Sequence, residues 1–114
     1  MKRAPFLIPA LLRFPGASAR QDSWGRLLKI TAGGAELSTG AHLVKGEIVH
    51  VRFELGGERL SIPARVHHAG RDDDGQILAE LHWSDLVERR HLARVLLDRR
   101  RGQGWEKSRA PRKT

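Results

Sequence analysis

The chain has 114 residues, 30% of them charged, with 21 Lys and Arg against 13 Asp and Glu for a formal net charge of +8. These 114 residues are expected to form one domain of ordinary size with no room among them for a second, and a hydrophobic content of 39% supports one modest core, which does not fit a wholly disordered chain. No apolar run reaches the ~20 residues of a membrane-spanning helix, and the absence of cysteine excludes disulfide staples and thiolate metal sites.

The first element is a strand. Phe6, Ile8, Ala10, Leu12 and Phe14 alternate with Leu7, Pro9, Leu11 and Arg13, and Pro9, with no N–H to donate, biases this strand toward a sheet edge. The chain start imitates a signal peptide: Met1-Lys2-Arg3, an apolar stretch, then Ala17-Ser18-Ala19. That stretch is short, contains Pro9 and is closed by Arg13, and cleavage would delete the first strand, so the expected location is cytoplasmic. Pro15 to Ser23 reads as a loop. Trp24 to Thr31 forms the second strand, with Leu28 and Ile30 on one side and Lys29 and Thr31 on the other. Gly33-Gly34 is a turn or bulge, after which Ala35 and Leu37 begin a third strand.

From Glu47 the period is two. Val49, Val51, Phe53 and Leu55 alternate with Ile48, His50, Arg52 and Glu54, and Gly56-Gly57 makes a hairpin turn because glycine takes positive φ freely. The return strand sets Leu60, Ile62, Ala64 and Val66 against Arg59, Ser61, Pro63, Arg65 and His67. Gly70 to Gly75 encloses Asp72-Asp73-Asp74 in a solvated turn. The sixth strand carries Ile77, Ala79, Leu81 and Trp83 on one face. The period then changes: Ser84 is placed to cap a helix whose first turn holds Asp85 and Glu88, and Leu92, Val95 and Leu96 supply an i, i+3, i+4 stripe. The helix is expected to stop near Gly102 or Gly104. Six strands and a terminal helix predict a mainly β protein, a small six-stranded antiparallel barrel with a C-terminal α-helix over residues 1–101, since closure removes exposed edges. Residues 102–114 are expected to be a basic, disordered tail.

The charge is uneven. Residues 99–114 hold seven basic residues against Glu106, residues 1–26 hold five against Asp22, and residues 27–98 hold nine against eleven acidic ones. An acidic body with basic ends is not a uniformly basic nucleic-acid-binding domain. The tail cations suit a phosphate backbone or an anionic surface as an alternative function, but Trp105 is the only aromatic among them for base stacking.

Chemistry-bearing patterns are few. Six histidines invite a metal site, yet His67-His68 are expected on opposite faces of a strand and no H-x-x-x-H pair or cysteine partner exists, so no metal ligand is assigned. Asp72-Asp73-Asp74-Gly75 lacks the alternating carboxylates and terminal Glu of a calcium loop. No nucleophile elbow and no apolar-flanked carboxylate pair is present, and Gly33-Gly34 does not fit a dinucleotide loop. The chain reads as a non-enzyme without a cofactor.

One segment carries a family signature. Lys29-Ile30-Thr31-Ala32-Gly33-Gly34-Ala35-Glu36-Leu37 resembles the D/N-x-S-x-x-G element, with its G-G-A/G-x-L continuation, of PilZ domains. Leu43 to Gly46, Ile62 to Val66, the Leu81 to Leu86 lead-in to a helix and the ending from Val95 to Trp105 fit the same order, most like the PilZ domain of cellulose synthase catalytic subunits. The resemblance implies a receptor for cyclic di-GMP, or a degenerate derivative acting through a protein partner, in motility, biofilm or exopolysaccharide control. It implies a site at Lys2, Arg3, Lys29, Thr31 and Gly34. Two positions depart from the family pattern. Phe6 stands where the second arginine of an R-x-x-x-R loop belongs, losing a fork that can grip a phosphate or a guanine edge. Lys29 stands where an acid or amide belongs, and an ammonium cannot accept from guanine N1–H and N2–H.

Overall fold

The computed structural model describes residues 7–16 and 20–109; Lys2 and Arg3 lie outside them. Among the described residues six strands form in chain order: β1 (Ile8–Arg13), β2 (Ser23–Ile30), β3 (Gly34–Thr39), β4 (Ile48–Leu55), β5 (Glu58–Arg71) and β6 (Ile77–Trp83), followed by α1 (Leu86–Arg109). Every pairing is antiparallel, and the strands close into a barrel in the order β1-β2-β3-β6-β5-β4. The helix is not long and apolar enough to cross a membrane.

The inward sets follow the two-residue period. Val49, Val51, Phe53 and Leu55 of β4, Leu60, Ile62, Ala64 and Val66 of β5, and Ile77, Ala79, Leu81 and Trp83 of β6 are all buried. Full burial of each such aliphatic side chain contributes about 1.5–3 kcal/mol. Leu92 and Val95 of α1 join the same core, with Leu96 packed against it, so the helical stripe anchors α1 to the barrel.

Bulges account for two departures from strict alternation. On β2 the core residue is Leu27, fully buried, whereas Leu28, expected to share the apolar side of the strand with Ile30, is only half-buried. The β2–β3 register shifts between Leu27 and Lys29, so an extra residue restarts the alternation. A second shift falls between Val66 and His68 on β5. His67 and His68, expected on opposite faces, are therefore both exposed, and β5 runs on to Arg71 instead of ending before Gly70. Asp72 Oδ1 then accepts from the amides of Asp74 and Gln76, both at 2.9 Å, closing the expected turn.

Pro9 does not mark an edge, because the described strands close into a barrel. Pro9 pairs with Arg26 on β2, and the β1–β4 ladder begins only at Leu11, so the missing N–H falls outside that ladder. Pro63 sits where β6 gives way to the helix, and its carbonyl accepts from Ser84 N at 3.0 Å and Ser84 Oγ at 3.2 Å. Ser84 is thus tied to β5, and the cap is Asp85: its Oδ1 accepts from Val87 N at 2.9 Å and Glu88 N at 3.1 Å. The helix continues through Gly102 and Gly104 to Arg109. An interior glycine costs about 1 kcal/mol, a weak stop signal on its own.

Candidate functional site

The Thr31–Gly34 segment is a tight turn built around one hydroxyl. Thr31 Oγ1 accepts from Gly33 N at 3.2 Å and Gly34 N at 3.1 Å, and lies 3.3 Å from the Gly34 carbonyl, to which it donates. Thr31 N donates to the same carbonyl at 2.8 Å. A hydroxyl has one proton and two lone pairs, so the turn takes up its whole capacity. Thr31 shapes the site and holds no spare donor for a ligand.

Trp83 ties this turn to the core. Its ring is buried and stacked with Phe53, centroids 6.1 Å apart, while its Nε1–H donates to the Thr31 carbonyl at 3.0 Å and its backbone N to Gly33 O at 3.1 Å. Gly34 is needed here for close approach: a Cβ on it would collide with the Leu81 carbonyl oxygen on β6. Positive φ is not the reason, since the glycines that adopt it are Gly46, Gly56, Gly57 and Gly75.

An open groove of about 580 Å³ lies beside this turn, lined by Lys29, Glu36, Glu80, His82 and Arg89 among others. That volume falls in the ~300–1,000 Å³ range of small-molecule sites. Strand register assembles its polar floor. Lys29 pairs with Glu36 across β2–β3, Glu36 with Glu80 across β3–β6, and Gly34 with His82. Arg89 comes from the first turns of α1, where its amide donates to Asp85 O at 2.9 Å. Two cations thus face two carboxylates in one concavity.

Of the expected site residues, Lys29, Thr31 and Gly34 line this groove together. Arg13 is not part of it; Arg13 Nε lies 3.5 Å from Asp22 Oδ2. Arg20, another basic residue of the first 26, is committed elsewhere: it pairs with Glu47 at 2.9 Å, donates to the His42 carbonyl and lies over the Phe14 ring. Glu36, Glu80, His82 and Arg89 escaped sequence reasoning. The first three occupy outward positions of alternating strands, a signal that marks them as exposed without saying which strands bring them together.

A second groove of about 670 Å³ opens where β1, β2 and the β4–β5 turn meet, lined by Ile8, Leu11, Trp24, Phe53 and Leu60 with Arg52, Glu54 and Arg59. Trp24 is 67% exposed there. It is the more apolar of the two and contains none of the expected residues.

A family model for the PilZ domain matches residues 2–98. Among solved structures, the PilZ domain of CeSA from a cellulose-synthesizing bacterium is 26% identical, with a TM-score of 0.61 over 86% of this chain and 97% of that one. The Bacillus subtilis inhibitor of motility, MotI/DgrA, is 14% identical, TM-score 0.66, over 87% of this chain and 49% of that one. The PilZ domain of YcgR from Escherichia coli, solved with c-di-GMP, is 12% identical, TM-score 0.62, over 94% and 98%. No curated protein matches.

Proposed function

The chain belongs to the PilZ domain family, and from that premise we propose that it is a non-catalytic, cytoplasmic signalling module that binds cyclic di-GMP in the groove beside the Thr31–Gly34 turn. A protein partner reads the bound state, in control of motility, biofilm or exopolysaccharide. The nucleotide observed with the YcgR PilZ domain supports the ligand class.

The observation that carries the reading is the position of Glu36. Lys29 removes the acceptor that the family pattern places on β2, and a carboxylate stands directly across the β2–β3 ladder, lining the same groove. That carboxylate can accept from guanine N1–H and N2–H, while Lys29 and Arg89 meet the phosphates; Arg89 brings the bidentate fork that Lys29 lacks. Lys2 and Arg3 belong to the proposal through the family's N-terminal basic loop. Thr31 and Gly34 act by shape, holding the turn and letting the backbone of β3 approach β6.

Calorimetric titration of cyclic di-GMP into the purified protein, with GTP as control, tests this. Saturable heat with cyclic di-GMP alone is expected, weakened at least tenfold in Glu36→Gln. No heat and no change in melting temperature at high ligand excess would remove the receptor reading.

A further inference from the structure

The outer face of β5 and β6 gathers three side chains able to ligate a metal, one from β5 and two from β6. His67, Glu80 and His82 are all exposed, and each offers a ligand atom, the three atoms lying within 4.8 Å of one another. His82 Nε2 is 3.3 Å from Glu80 Oε2. The His67 and His82 rings are stacked, centroids 4.2 Å apart at an interplanar angle of 13°. We propose that His67, Glu80 and His82 form a divalent-cation site that takes Zn²⁺.

The backbone brings the donors together. Glu80 and His82 are i, i+2 on β6 and share its outer face. His67 reaches them through the β5 bulge: the ladder pairs Val66 with Leu81 and His68 with Glu80, leaving His67 as the extra residue between them. A bulge that re-aims a side chain beside a site is a recurrent device. Two imidazole nitrogens and one carboxylate oxygen are the donor set of many zinc centres, with the fourth position open to water. Nitrogen donors disfavour Mg²⁺ and Ca²⁺, which prefer oxygen alone. Tetrahedral Zn²⁺ ligands sit roughly 3.3 Å apart at zinc bond lengths near 2 Å, so closing the trio requires only rotation of exposed side chains on a fixed sheet. The register also sets Glu36 directly opposite Glu80, a like-charge pair that is repulsive in a sheet. A bound dication offsets that repulsion.

Zinc titration of untagged, chelator-stripped protein tests the proposal, by calorimetry and by the visible absorption of Co²⁺ as a probe of coordination. One equivalent should bind, with affinity reduced at least tenfold in His67→Ala and in His82→Ala and unchanged in His50→Ala, whose side chain lies on β4. Melting temperatures without metal establish that each variant is folded. Absence of saturable binding at up to about 1 mM metal, or binding retained in both His67→Ala and His82→Ala, would overturn it.

Discussion

The inner and outer faces of the same six strands are built by different rules. Inward residues act through their own strand: alternate positions are apolar, and the core follows wherever the strands close. Outward residues acquire meaning only across strands. Glu36, Glu80 and His82 are unremarkable in sequence, yet the β3–β6 register places them around one groove with Lys29 and Arg89. The inner face is therefore specified locally and resists change, whereas the outer face can be re-equipped by single substitutions while the barrel stays intact. Lys29 beside Glu36 illustrates this: the charge expected at one position stands on its neighbour.

Substitutions on one strand break this comparison most sharply. Leu81→Ala on the inner face of β6 should cost about 2–5 kcal/mol, measured by urea unfolding. Gly34→Ala should cost on the order of 3 kcal/mol, because its methyl group meets the backbone of β6 rather than a movable side chain; unfolding within about 0.5 kcal/mol of the parent would contradict the close approach. Thr31→Val keeps the shape and removes the hydroxyl that serves two amides, so about 1 kcal/mol should be lost, together with several-fold in affinity for cyclic di-GMP; Thr31→Ser should restore both. The smallest effect belongs to Glu80→Gln, one residue from Leu81 and facing out. Without metal it should be neutral or stabilising by a few tenths of a kcal/mol, since it relieves the repulsion with Glu36.

How much was legible in the sequence follows the same division. All six strands, the terminal helix and the inward sets of β4, β5 and β6 were readable from period and turn residues. Leu27 was not, because a bulge shifts the alternation without leaving a mark in composition. His67 and His68 failed for the same reason, and with them the neighbourhood of His82. The cap was misplaced by one residue, from Asp85 to Ser84, since both side chains can cap and only the Pro63 carbonyl decides which is free to do so. At the site, the local motif identified Thr31 and Gly34 but not their roles: the hydroxyl is consumed by the turn, and the glycine answers a steric demand from a strand more than forty residues later.

The two grooves offer the most direct test of the central claim, that the surface beside the Thr31–Gly34 turn binds the nucleotide. Amide chemical shifts would be followed by ¹⁵N NMR during a cyclic di-GMP titration. The account predicts that the largest changes cluster at Lys29, Gly33, Gly34, Glu36 and His82, while Gly56, Gly57 and the Trp24 indole at the other groove stay in place. Changes centred on Trp24 and the β4–β5 turn, or no changes at saturating ligand, would contradict it.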